Sequence, residues 1–271
     1  MQRFLMFCMI FIVCFLPGSL SARDLMMATT TSTDNTGLLD YLAPKFEQDT
    51  GIDLKWTAVG TGKALEIGRN CDVDVLLVHA PRVEKRYVKN GYGVDRTQIM
   101  YNDFVIIGPS EDPANIRGKS VNRALNAICR NNALFVSRGD DSGTNQKELS
   151  LWKNADIDLP DRAKWYMETG QGMLSTIRIS AERNGYTMTD RGTYIKYSDS
   201  FEGDPPLDIL VQGDSALFNQ YSVLAINPER CDNVKYDLAR KFIEWIASDK
   251  IQNTIADYKL LGRTLFTPNA E

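Results

Sequence analysis

Leu134–Ser150 reads LFVSRGDDSGTNQKELS, and the rest of the chain takes its interpretation from this stretch. Leu134-Phe135-Val136 is a short apolar run, the end of a buried strand. Ser137-Arg138-Gly139-Asp140-Asp141-Ser142-Gly143-Thr144 then forms a turn, and from about Gly143 the residues suit a helix through Glu148, Leu149, Leu151 and Trp152. A strand that feeds such a turn and then a helix aims free backbone N–H groups at one point, where the helix dipole adds partial positive charge. Ser142 and Thr144 offer hydroxyl donors, Arg138 offers a rigid fork of N–H donors, and the glycines let backbone approach a ligand. The same residue types also make an ordinary N-cap. This stretch alone does not separate an anion site from a cap.

The pattern recurs. Leu25–Ala28 reads as a buried strand and runs into Thr29-Thr30-Thr31-Ser32-Thr33, after which Leu38, Leu39, Leu42 and Phe46 fall at helical spacing. A cap uses one hydroxyl, whereas an oxyanion site uses several. Ile52–Val59 is a third strand, followed by Gly60-Thr61-Gly62-Lys63 and the helical Ala64-Leu65-Glu66-Ile67. The spacing GxxxxGK[ST] of a nucleotide phosphate loop is absent. Val73–Val78 is apolar enough for a strand buried on both faces, and His79-Ala80-Pro81 ends it. With no nucleophile or metal partner in view, His79 is read as a hydrogen-bonded structural histidine. Arg82–Asn90 suits a charged helix, Phe104–Pro109 a strand and Lys119–Asn131 a helix; 156–165 is a polar connection containing Pro160. Gly170 and Gly172 precede a helix through Leu174, Ile177 and Ala181 and make a fourth donor-rich helix start. Leu207–Val211 and Ser222–Ile226 are strands, and Tyr236–Ser248 is an amphipathic helix with a further helical piece through Ile251 and Ile255. This alternation predicts an α/β protein with mixed sheets and helices on both faces, its ligand at the carboxyl ends of the strands.

The 271 residues allow one large domain or two lobes. A net charge of -4 without any basic run argues against a nucleic-acid groove. Residues 1–22 have the basic start, short apolar core and small-residue exit of a cleavable signal peptide, which predicts a periplasmic protein. Cys71, Cys129 and Cys231 follow that leader, so at most one internal disulfide can form. A single histidine and no CxxC make a zinc site improbable, and no cofactor is expected.

TTTST, AVGTG, DVDVLLVHAP, YNDFVIIGP, SRGDDSGT, WYMETGQGM, TMTDRGTY and DILVQGDSALFNQYSVLAINP together resemble the tungstate-binding proteins of tungstate ABC importers. The resemblance covers nearly the whole chain after the leader. It implies a two-lobed periplasmic binding protein of type II topology, each lobe a mixed sheet flanked by helices, with two hinge crossings. The expected division is residues 23–105 with 222–271 as the first lobe and 106–221 as the second. Carried over, the ligand contacts fall on Thr30, Thr31, Ser32, Thr61, Gly62, Ser137, Arg138, Ser142, Gly143 and Thr144. The implied ligand is tungstate or molybdate bound as an oxoanion, and the implied partner is a membrane ABC permease, with the protein itself a monomer. Asn145 stands where the family often has histidine.

Capture rather than catalysis is therefore expected. A tetrahedral dianion without a proton wants a site made of donors. Asp140 and Asp141 then need another role: one pairs with Arg138 and the other caps the helix. Phosphate, whose remaining proton wants a carboxylate acceptor, is the competing ligand. A secreted hydrolase using Ser142, Asp140 and His79 is the reading from another class, weakened by the absence of GxSxG.

Overall fold

The structure is a computed structural model and describes residues 23–158 and 163–270. Residues 1–22, where a leader is expected, and part of the connection around Pro160 lie outside the described residues. The chain begins with β1 (Arg23–Thr30), the short helix α1 (Thr31–Asp34), α2 (Leu38–Thr50), β2 (Ile52–Val59), α3 (Thr61–Arg69), β3 (Val75–Val78) and α4 (Pro81–Lys89). The long strand β4 (Gly93–Pro109) leads to α5 (Val121–Arg130), β5 (Phe135–Ser137), α6 (Gly143–Asn154), β6 (Tyr166–Glu168), α7 (Met173–Glu182), β7 (Thr187–Asp190), α8 (Arg191–Asp199) and β8 (Leu207–Val211). Then β9 (Phe218–Ile226) returns the chain to α9 (Tyr236–Ala247), α10 (Asp249–Asp257) and the short strands β10 (Lys259–Leu260), β11 (Arg263–Thr264) and β12 (Thr267–Pro268).

The first sheet has the order β2-β1-β3-β9-β4-β12, with β1 parallel to β2 and β3, and β9 antiparallel to β3 and β4. Strand alternation divides its side chains between two cores. Leu25, Val75, Leu77, Val223 and Ala225 face one core with residues of α2, α9 and α10, while Ala28, Leu76, Val78, Leu224 and Ile226 face the other with residues of α3 and α4. Burial on both faces explains why VLLV and SVLAI are almost wholly apolar.

β4 carries the chain from one sheet to the other. It pairs with β9 from Gly93↔Ile226 to Asp103↔Phe218, and from Phe104 onward it pairs with β7 and β8. Tyr186 exchanges backbone hydrogen bonds with Leu134 and Val136 and so joins β5 to this second sheet; β5 pairs in parallel with β6. Here Phe104 and Ile106 face a core built with α5 and α6, and Val105 and Ile107 face one built with α7 and α8. The returning chain enters the first sheet at Phe218, which pairs with Asp103.

Several elements escape the sequence reading, among them the following. The front half of β4, GVDRTQIMYND, is too polar to announce a strand and is held by pairing along β9. β6 has three half-buried or exposed residues. The helix α8 buries Gly192, Tyr194, Ile195, Tyr197 and Ser198 around most of its circumference, so it shows little amphipathic period. Ile195 belongs to the first lobe's core while Tyr194 and Tyr197 belong to the second lobe's, which places α8 between the two. Cys71 and Cys231 form the one disulfide that the cysteine count allows, and Cys129 is a free thiol.

Candidate functional site

A cavity of about 540 Å³ opens between the two lobes, and five helices begin at its wall. From the first lobe come Thr30, Thr31 and Ser32 at the start of α1, and Gly60 and Thr61 at the start of α3. The second lobe supplies Ser142, Gly143 and Thr144 at α6, Gly172 to Ser175 at α7, and Asp190, Gly192 and Thr193 at α8. Each of these helices follows the carboxyl end of a strand, which is why they converge. Gly60 and Gly172 make no side-chain cap, and the first backbone bonds of α3 and α7 are Ala64 N to Gly60 O and Thr176 N to Gly172 O. The N–H groups of the first turn therefore remain available as donors.

The cap and the anion-donor readings of the hydroxyls turn out to be compatible. Ser142 Oγ accepts from Asn145 N at 3.3 Å, and Thr30 Oγ1 accepts from Thr33 N at 3.2 Å. A cap uses an oxygen lone pair and leaves the hydroxyl hydrogen to donate elsewhere.

Arg138 reaches the wall from the β5–α6 turn. Gly139 has φ +58°, and a Cβ there would lie 2.6 Å from Glu168 Cβ, so both backbone and space require glycine. Asp140 Oδ2 accepts from Arg138 Nε at 3.1 Å and also from Nη2. Burial pushes the Asp140 carboxyl up, but hydrogen bonds from Ser142 and Arg138 outweigh it and hold the group below its usual range. This is the pairing expected for one aspartate. The expected cap by the other is corrected: Ser142 caps α6, and Asp141 accepts from the Gln146 side chain.

Eight of the ten sequence-derived candidates line the cavity: Thr30, Thr31, Ser32, Thr61, Arg138, Ser142, Gly143 and Thr144. Gly62 and Ser137 do not line it. Ser137 Oγ donates to Glu148 Oε2 at 2.6 Å and accepts from Asn145 Nδ2 at 3.2 Å, behind the wall. Asn145, the departure from the resembled family, is buried and also accepts from Asp141 N at 3.1 Å. It thus braces the turn that carries Arg138. Lys63 is exposed and paired with Glu66.

Sequence reasoning missed the contribution of α8. Asp190, Thr193 and Lys196 line the cavity, and the Lys196 ammonium donates to the Asn35 carbonyl in the opposite lobe. The spacing of Asp190 and Thr193 in TMTDRGT was a legible N-cap signal. Asp190 accepts from Thr193 N at 2.8 Å and from Thr193 Oγ1 at 2.6 Å. Among the described residues, no group of three or more His, Cys, Asp or Glu side chains is placed to hold a metal ion.

His79 also lines the cavity. Its Nε2 lies 3.0 Å from Thr30 Oγ1 and 3.0 Å from Ser32 Oγ, and its Nδ1 lies 3.0 Å from Asn219 Oδ1. Burial holds the imidazole below its ordinary value of 6.5, against a smaller opposing pull from Asn219 and Asp190. The Ser142–His79–Asp140 arrangement that a hydrolase would need is not formed, because each of the three is bonded elsewhere.

A family profile described as a PBP superfamily domain matches residues 17–250. The tungstate-binding protein TupA of Campylobacter jejuni is 51% identical over 240 residues, covering 89% of this chain and 89% of that protein. Among solved structures, the tungstate-binding protein TupA of Desulfovibrio alaskensis is 63% identical, with a TM-score of 0.89, covering 92% of this chain and 100% of that one. A structure described as the tungstate ABC transporter from Geobacter sulfurreducens is 46% identical, with a TM-score of 0.76, covering 87% and 98% respectively. Two lobes joined through one shared strand, a cleft ringed by helix starts and these likenesses agree, and the chain belongs to the tungstate-binding proteins of the PBP superfamily.

Proposed function

We propose that this protein captures tungstate, and also molybdate, as a tetrahedral oxoanion between its lobes and hands it to the membrane permease of an ABC importer. The observation that carries the reading is the convergence of five helix starts, from both lobes, on one cavity that also presents hydroxyls and the Arg138 guanidinium. The proposed contacts are the hydroxyls and backbone N–H groups of Thr30, Thr31, Ser32, Thr61, Ser142, Gly143 and Thr144, with Arg138 as the charged fork. Ser137 acts from behind, by bracing Asn145 and Glu148. Because donors come from both lobes, the anion makes more bonds in the closed arrangement than in an open one, and that difference drives closure. The hinge of this motion is where β4 exchanges partners after Asp103 and where the chain re-enters the first sheet at Phe218. The protein works as a periplasmic monomer after removal of residues 1–22, and as a binding protein it needs no catalytic group and no cofactor.

One observation favours phosphate as a second ligand: the Asp190 carboxylate stands on the wall and retains lone pairs beyond those bonded to Thr193. Calorimetric titration with tungstate, molybdate, sulfate and phosphate at one pH separates the readings. Tight tungstate binding with no heat from phosphate supports the all-donor site. Phosphate heat without tungstate heat would make Asp190 an acceptor and reassign the ligand.

A further inference from the structure

We propose that His79 takes up a proton when the oxoanion enters the cleft, and thereby releases a hydroxyl hydrogen of Thr30 or Ser32 to the anion. This rests on the oxoanion reading above. The ring orientation follows from its neighbours. Asn219 commits its amide nitrogen to Asn102 Oδ1 at 2.8 Å, so it offers its carbonyl oxygen to His79 Nδ1, which carries the proton. In the neutral ring Nε2 is then an acceptor, and one of the two hydroxyls 3.0 Å away must donate to it. Thr30 and Ser32 therefore hold one hydrogen fewer for the cavity than their number suggests.

Protonation reverses this bond. A proton from solvent binds Nε2, the O–H···N bond becomes N–H···O, and the freed hydroxyl hydrogen turns to an anion oxygen. The site gains one donor and one positive charge, while tungstate remains an unprotonated dianion. The charged groups facing the ring and its surroundings are Asp190 at the start of α8, with Arg138 and Lys196 on the same cavity wall; Tyr221 packs on the ring at 4.8 Å between centroids. Behind His79, Glu84 accepts from Ala80 N and pairs with Arg96. In the empty protein, burial favours the neutral ring. A dianion bonded to Thr30 and Ser32 favours the charged one. By linkage, proton uptake and anion affinity strengthen each other equally. The folded group's titration midpoint is raised by the ligand, so affinity rises as pH falls through the window between the two midpoints.

His79 is the sole histidine of the chain, so the untagged protein has one imidazole signal in the NMR spectrum. The experiment is a pH titration of that signal with and without saturating tungstate, saturation being checked by calorimetry. The expected result is an upward shift of the midpoint by about one pH unit or more, with tungstate affinity changing by up to about tenfold per pH unit inside the window. Identical midpoints would overturn the inference. In His79→Gln the side-chain amide can donate where protonated Nε2 would, so this variant should bind tungstate with a flat pH profile; a slope like that of the unmodified protein would also overturn it. Should that variant not fold, the NMR titration decides alone. No heat from tungstate or molybdate would overturn the oxoanion reading itself, and this inference with it.

Discussion

Glu148 supports the cleft from behind rather than from its wall. Ser137 donates to it at 2.6 Å, Tyr166 OH at 2.8 Å and Trp152 Nε1 at 3.0 Å, which ties α6 to β5 and β6. Burial still pushes its carboxyl above the ordinary range, ahead of the opposing effect of those donors. An acid raised in the folded state favours folding most when both states are protonated; that advantage falls as pH rises from the unfolded value through the folded one. Glu148→Gln replaces an acceptor oxygen by a donor among three donors, and should destabilise by about 1–3 kcal/mol. The gap between the two proteins should narrow as pH rises above the ordinary carboxylate range, read from urea midpoints. Arg138 acts on the other side of the wall. Its substitution by alanine should weaken tungstate binding by about 2–5 kcal/mol, measured by calorimetry, if the fork is desolvated against the anion. Unchanged affinity would remove it from the site. At this scale the sequence was legible for hydroxyls, glycines and Arg138, whose chemistry is local. It was not legible for Asn145, whose role depends on which groups the turn brings beside it.

Among the elements, the strand–turn–helix junctions were readable because strand and helix periods switch within a few residues and the turn chemistry marks the join. β7 and α8 were not, since TMTD is polar for a buried strand and α8 is covered on several sides. The disulfide belongs to this scale as well. It ties the turn after α3 to the segment after β9, and α3 separates it from the cavity by nine helical residues, roughly 13 Å of axis. Reduction should lower stability by about 2–5 kcal/mol, since 160 residues separate the two cysteines. Denaturant curves with and without reductant check this. Tungstate affinity below the unfolding transition should stay within a few-fold, as neither cysteine lines the cleft.

For the whole molecule, closure is the property that matters. Lys196 reaches the Asn35 carbonyl across the cleft, and Arg191 on α8 forms a two-bond pair with Asp103 at the point where β4 changes sheets. Those contacts favour the arrangement with the lobes together even without ligand. Small-angle scattering should show the radius of gyration falling on tungstate binding by on the order of 1 Å, against about 18 Å for a compact chain of this size. Lys196→Ala should enlarge the unliganded value while leaving the tungstate-bound one nearly unchanged. Equal radii in all four samples would mean that the cleft does not open.

The strand–turn–helix junctions at β1–α1, β2–α3 and β5–α6 and their hydroxyl-rich turns are properties of neighbouring residues, and the sequence determined them by itself, as the cysteine count determined the limit of one disulfide. Which lobe each turn serves, the single strand spanning two sheets and the meeting of His79 with Thr30 and Ser32 are properties of residues far apart in the chain, 49 positions for Thr30 and His79 and 133 for the paired Gly93 and Ile226. Thr30 and His79 come together only because β1 and β3 are parallel neighbours ending on the same edge of the sheet. Such pairings are set by burying both faces of a sheet at once, a condition on the whole chain that no local window contains.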